Sequence, residues 1–266
     1  MHAVIGGGKE ATVLLAENTS DKLVCAKVFR YFTSTIKKRL QGTIHILASD
    51  MAMLAAKQEY WNLHEMVKHV PVPKPLALLG NIILMEFISD GSESMTPAPL
   101  IRDIDLTIFD PEEVLYTSLD ILAQIFLNAR MIHGDFSEHN IMIQSNNGKV
   151  FTMDVSQSVE YNSKTFINTG IRIRVDRAIN MLETDINNIN QYFKRIYRIG
   201  VDSEEVIQNI KEELPNKLQD FLTEKTMEIY PGELNPSDSY TGKLESRSRV
   251  IKDRTGSTRR PKKPFS

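Results

Sequence analysis

In the N-terminal third of the chain, apolar residues come in short runs broken by glycine, proline and single charges. Ala3-Val4-Ile5 and Val13-Leu14-Leu15-Ala16 flank Gly6-Gly7-Gly8, which predicts two strands joined by a glycine turn. Leu23-Val24-Cys25-Ala26-Lys27-Val28-Phe29 reads as a third strand interrupted by one lysine, a residue that usually snorkels from a strand edge. Leu76–Leu79 and Ile82–Ile88, separated by Gly80-Asn81, form a predicted hairpin. Ahead of that hairpin a helix is expected from about Met51 to Lys68, capped by Ser49 or Asp50 and halted before Pro71. Met51, Leu54, Ala55 and Trp61 give it a broken apolar stripe. Helical spacing then takes over. Asp110-Pro111-Glu112-Glu113 is a helix start with cap, N1 proline and first-turn acids, followed by Leu115, Leu119, Leu122 and Phe126 on one face. Further helices are expected across Thr184–Phe193, from Asp202 to Leu214 before Pro215, and over about 216–230.

Strands first and helices afterwards predict an α+β fold in two lobes, a β-rich one over 1–88 and a mainly helical one over 89–230. Charge changes the picture at the end. Nine of the 32 Lys/Arg but only Glu245 and Asp253 of the 34 Asp/Glu fall in 243–266, so this segment carries +7 and the rest of the chain −9. With almost no apolar residues it cannot bury a core, so 231–266 is expected to be a disordered basic tail suited to the phosphate backbone of RNA. Arg259-Arg260-Pro261-Lys262-Lys263 also has the form of a nuclear-import signal. No apolar run approaches eighteen residues and no signal peptide is evident, so neither a membrane span nor secretion is expected. The single Cys25 excludes an internal disulfide and fits a reducing compartment.

The chemistry concentrates in His133-Gly134-Asp135-Phe136-Ser137-Glu138-His139-Asn140, followed by Asp154 after an apolar run. An Asp and an Asn five apart on a loop, then a second Asp, are what a phosphoryl-transfer site needs. Asp135 would orient a hydroxyl and accept its proton, while Asn140 and Asp154 would hold Mg²⁺ across the phosphates. An ATP-binding half should lie upstream, and its parts occur in order. Gly8 to Val13 form a loop whose backbone can approach phosphate, although Ala11 stands where a protein-kinase loop has its last glycine. Lys27 matches the strand lysine that reaches the α- and β-phosphates, and Glu59 is the chosen helical carboxylate to pair with it, ahead of Glu65. The hairpin exit is where a kinase hinge would offer backbone groups to adenine, with Met85 as the expected gatekeeper and Glu86 and Ile88 as the expected backbone partners. His133 and His139, with no cysteine nearby, make poor zinc spacing.

This order resembles a protein-kinase fold, and the wording of its motifs is similar to one branch, the RIO family. Ile132–Asn140 resembles that family's His-Ala-Asp-Leu-Ser-Glu-Tyr-Asn, and Met153-Asp154-Val155-Ser156-Gln157-Ser158-Val159-Glu160 matches the Rio-one type almost letter for letter. Gly8–Val13 and Pro97-Ala98-Pro99-Leu100 are similar to two further family segments, so that the resemblance covers about residues 3–195. It implies an atypical Ser/Thr protein kinase using ATP and Mg²⁺, with an ATPase-like cycle that places phosphate transiently on Asp154. It further implies late maturation of the small ribosomal subunit, with the pre-small-subunit particle and its RNA as partner, in the cytoplasm with passage through the nucleus. The chain departs from the family in three ways. The family's N-terminal helix and winged-helix domain are not found, the stretch from Lys27 to Glu59 is short, and Tyr161-Asn162-Ser163 replaces the usual His-Pro. Ser137 stands where ordinary kinases carry a cation, which implies weak phosphorylation of other proteins. Two rival readings are a small-molecule kinase of the aminoglycoside or choline type, disfavoured by Asp154-Val155-Ser156-Gln157, and a scaffold that uses ATP only as a conformational ligand.

Overall fold

The short apolar runs pair into one antiparallel sheet of β1 (Ala3–Gly7), β2 (Ala11–Glu17), β3 (Leu23–Phe29), β4 (Pro75–Leu79) and β5 (Ile82–Glu86), in the spatial order β1-β2-β3-β5-β4. The computed structural model from which this is read describes residues 2–30, 48–92, 95–161 and 175–214. The expected helix 216–230 and the tail lie outside the described residues. Gly6 and Gly7 are strand residues, so the expected glycine turn is shorter than the glycine run, closing with Gly8 N–H on the Ala11 carbonyl at 3.0 Å. The hairpin between β4 and β5 turns at Gly80, whose φ of +61° suits a residue without a side chain.

β3 is the central strand, which changes the reading of its lysine. Flanked by β2 and β5 and covered by α1 (Ala48–Met66), Lys27 is only 7% exposed rather than snorkelling from an edge. The helix itself corrects a second expectation. Leu54 and Trp61 are 50% and 41% exposed, while Ala52, Ala56, Glu59, Asn62, Leu63 and Met66 are buried. The buried positions keep helical spacing, but two of them are polar and two are alanine, so a hydrophobicity count chose the wrong face. The alanines let α1 lie close to the sheet, and the polar pair faces the site described below.

Beyond β5 the chain is mainly helical. Asp110 caps α2 (Pro111–Gln124) by accepting the Glu112 N–H at 3.0 Å, and Leu115, Leu119 and Leu122 are buried as expected. α2 runs on through a π-helical turn, Ile125–Ala129, ended by Arg130 at φ 57°. Two small strand pairs follow, β6 (Met131–Ile132) with β9 (Val159–Glu160) and β7 (Ile141–Ile143) with β8 (Val150–Thr152). α3 (Val175–Tyr197) packs on α2, and α4 (Ser203–Glu212), capped by Asp202, packs on α3. One apolar core joins Phe29, Leu63 and Ile83 to Phe126, Phe136 and Phe193. Among the described residues no helix is long and apolar enough to cross a membrane.

Candidate active site

Three of the sequence-chosen residues meet around one ammonium group. Lys27 Nζ donates to both carboxylate oxygens of Glu59 at 2.7 Å and to Asp154 Oδ1 at 2.9 Å. Glu65, the runner-up, pairs with Lys68 on the helix exterior instead. Burial works against the Lys27 charge, but the two carboxylates outweigh it and hold its pKa above the ordinary value. Burial likewise opposes charge on Asp154, yet Lys27, aided by the Ser156 hydroxyl, keeps that carboxyl below its usual range. Asp154 adopts φ 54°, a left-handed backbone that a non-glycine residue takes only when its surroundings hold it there.

The second cluster is the loop between β6 and β7. Asn140 Nδ2 donates to the Asp135 carbonyl at 2.8 Å and to its Oδ2 at 2.9 Å, which turns the Asn140 amide oxygen away from Asp135. Asn140 is also tied to the segment just after β8, where the Met153 N–H donates to its carbonyl at 2.9 Å. This brings the backbone of Asn140, just before β7, against Met153, the residue that precedes Asp154. Together Asn140 and Asp154 offer hard oxygen donors of the kind Mg²⁺ takes from a protein, the rest of its shell being phosphate and water. Among the described residues no cluster of three or more His, Cys, Asp or Glu exists that would form a complete metal cage.

The hinge residues divide their backbone groups. Glu86 donates its N–H to the Lys74 carbonyl at 2.8 Å, so that any adenine contact from it would have to use its carbonyl. Ile88 accepts the Ala98 N–H on its carbonyl at 2.9 Å, so that any such contact from it would have to use its N–H. Acceptor and donor two residues apart suit a purine edge. Met85 lies opposite Cys25 in the sheet, and Val13 lies opposite Lys27. Cys25, Val13 and Lys27 therefore share one face of the sheet. Ile88 also joins Ala98, Met142 and Phe151 in a small apolar cluster separate from the main core, with Met153 against it. Nothing lies within 4 Å of a Cβ built at Gly8, so its backbone is open to approach.

Residues that motif reading passed over hold this geometry. Asp185 of α3, almost fully buried, accepts the Gly134 N–H at 2.8 Å and the Phe136 N–H at 2.9 Å, fixing the backbone on both sides of Asp135. Burial pushes its carboxyl up to about 6 despite those donors. Its signal was an acid within the stripe Leu182, Ile186, Ile189 and Phe193. His133 is fully buried beside Phe136, with Nε2–H toward the Met153 carbonyl at 3.1 Å, and burial lowers its pKa to about 4. Ser158 donates its hydroxyl to the His133 carbonyl at 2.8 Å.

These two shifts act oppositely on stability. Between pH about 6.5 and 4 the unfolded chain holds more protons on His133 than the folded one, so its contribution is lost as pH falls, by about 3 kcal/mol. Asp185 binds its proton more tightly when folded, so its contribution falls as pH rises from about 4 to 6. Urea unfolding of His133→Phe should therefore show a deficit at pH 7 that narrows by about 2 kcal/mol at pH 4.5. A deficit of equal size at both pH values would mean that His133 takes up its proton in the folded state.

The family profile described as the RIO domain matches residues 12–206, well over half of the chain. The chain belongs to the RIO family. It is 29% identical over 204 residues to Serine/threonine-protein kinase RIO1 of Caenorhabditis elegans, covering 72% of this chain and 37% of that protein. It is 28% identical over 200 residues to RIO-type serine/threonine-protein kinase Rio1 of Thermoplasma acidophilum, covering 71% of this chain and 94% of that one. In fold it is similar to the Rio2 kinase–ADP/Mg²⁺–phosphoaspartate complex from Chaetomium thermophilum, with TM-score 0.56, 17% identity, and coverage of 82% and 69%. A RIO domain thus carries the two-lobed, α+β kinase-like fold expected from the order of strands and helices.

Proposed function

We propose that this RIO domain is an ATP- and Mg²⁺-dependent phosphotransferase, an atypical Ser/Thr protein kinase with ATPase activity. The observation that carries this reading is Lys27 gripping Glu59 and Asp154 at once, beside an Asp135–Asn140 pair. Lys27 holds the α- and β-phosphates and Glu59 keeps it extended; the backbone at Gly8 and the face of Val13 cover the nucleotide, and Glu86 and Ile88 take the adenine edge. Asn140 and Asp154 hold Mg²⁺, which when bound neutralises charge on the phosphates. Asp135 keeps one carboxylate oxygen for the attacking hydroxyl, because Asn140 engages only Oδ2. The kinase names of the relatives support the activity.

Ser137 supplies no cation to the γ-phosphate, which leaves the Asp154 carboxylate as a competing acceptor. An Asp154 oxygen displaces ADP at the γ-phosphorus, forming an acyl phosphate that water then releases as inorganic phosphate while Asp135 takes the water's proton. The phosphoaspartate in the Chaetomium thermophilum complex supports this route. After incubation with γ-labelled ATP and Mg²⁺, an acid-stable, hydroxylamine-labile label is expected on Asp154. A stoichiometric label confined to Ser or Thr would overturn the acyl-phosphate step while leaving the kinase, and one unchanged in Asp154→Ala would overturn the metal role of Asp154 as well.

The ribosomal role rests on the Met153–Glu160 wording and on the charge of 243–266, with work in the cytoplasm and passage through the nucleus. Removing 243–266 should leave basal ATP hydrolysis unchanged, weaken binding to pre-small-subunit particles or their RNA, and flatten the salt dependence. Equal affinity and equal slope for the full and shortened chains would confine docking to the lobes.

A further inference from the structure

Asn62 stands one turn beyond Glu59 on the buried face of α1, 5% exposed. Its side-chain amide reaches the loop after Asp154, where Nδ2 donates to the Val155 carbonyl at 2.8 Å and to the Ser158 carbonyl at 3.0 Å. Its Oδ1 accepts from Gln58 Nε2 at 3.4 Å, so every polar atom of the amide is engaged. The same loop is closed by the Ser158 N–H on the Val155 carbonyl at 3.1 Å and anchored by Ser158 to His133. The amide therefore grips the chain directly after the left-handed Asp154, and Lys27 grips its carboxylate from the other side.

We infer that Asn62 is a positioning residue for the metal-binding carboxylate: by clamping Val155 and Ser158 it holds Asp154 in its strained backbone, aimed at the nucleotide's Mg²⁺. This rests on the nucleotide-binding reading above. Glu59 and Asn62 act as two grips from one helix, one on the lysine and one on the metal loop. A shift of α1 would then loosen Lys27 and Asp154 together. Groups that orient a metal ligand without touching the metal commonly change metal affinity or activity about 10–100-fold when removed.

The test uses the full chain and reads ADP affinity by calorimetry with and without Mg²⁺, which needs no turnover. Asn62→Ala should leave Mg²⁺-free ADP affinity near that of the unaltered protein and reduce the gain from Mg²⁺ by about 10-fold or more. Asn62→Gln, which keeps an amide on a longer stem, should recover part of it, and carries the comparison if the alanine variant does not fold. Asn190 is the matched reference. It is also buried, and it clamps the Val201 carbonyl at 2.8 Å and Ser203 Oγ at 3.0 Å, in the connection from α3 to α4 rather than in the loop after Asp154. Asn190→Ala should lose comparable thermal stability with the Mg²⁺ gain intact. If Asn62→Ala keeps the full Mg²⁺ gain while losing stability like Asn190→Ala, Asn62 is structural only and the inference fails. If the unaltered protein binds no ADP at all, the underlying nucleotide reading fails and takes the inference with it.

Discussion

Replacing Lys27 with methionine should lower the free energy of unfolding by about 3–5 kcal/mol, because it leaves Glu59 buried without its counter-charge. A surface lysine would cost almost nothing, so the size of this loss reports the central position of β3. Burial already pushes the Glu59 carboxyl up. Without Lys27 it would sooner take up a proton than stay charged, so the penalty should shrink as pH is lowered. The double variant Lys27→Met/Glu59→Leu should regain most of the loss, since a well-packed apolar pair often matches a buried ion pair. Neither variant should turn over ATP. Urea unfolding checks the three stability expectations and an ATPase assay the fourth, and a Lys27→Met protein as stable as the unaltered one would show that the ammonium is solvated.

Asp135→Asn is expected to bind nucleotide with near-normal affinity and to lose about 10²–10⁴ of its turnover. The substitution keeps an oxygen for Asn140 Nδ2 and leaves Lys27, Asn140 and Asp154 in place, so only proton acceptance is removed. Turnover measured beside a binding titration separates the two roles. Loss of binding and turnover together would assign Asp135 to holding the nucleotide.

The strand-then-helix order was legible because each strand has its own punctuation and α2 carries both a cap and an unbroken apolar face. The site was legible where chemistry forces residue type at fixed local spacing, as from Asp135 to Asn140. It was equally legible at Asp154, whose flanking residues are distinctive. Glu59 could be chosen because it lies on the expected helix between strand lysine and hinge. What escaped were the inward face of α1 and, apart from Glu59, the polar residues that work by facing inward. Asn62 and Glu59 interrupt the buried face of α1, so counting apolar residues favoured Leu54 and Trp61, which face solvent. Asp185 lies 51 positions after the Gly134 amide it accepts, a pairing made by α3 packing and not by any local pattern. The burial of Lys27 likewise follows from tertiary arrangement, since β3 is paired on both edges, by β2 and by β5, and covered by α1.

Single-turnover chemistry with γ-labelled ATP and excess full-length protein tests the central claim most directly. The label should leave ATP when Mg²⁺ is present, stay on ATP when Mg²⁺ is chelated, and stay on ATP in Asn140→Ala even with Mg²⁺. A protein that binds ATP tightly yet leaves the γ-phosphate in place with Mg²⁺ present would contradict the account and point to a nucleotide-gated scaffold.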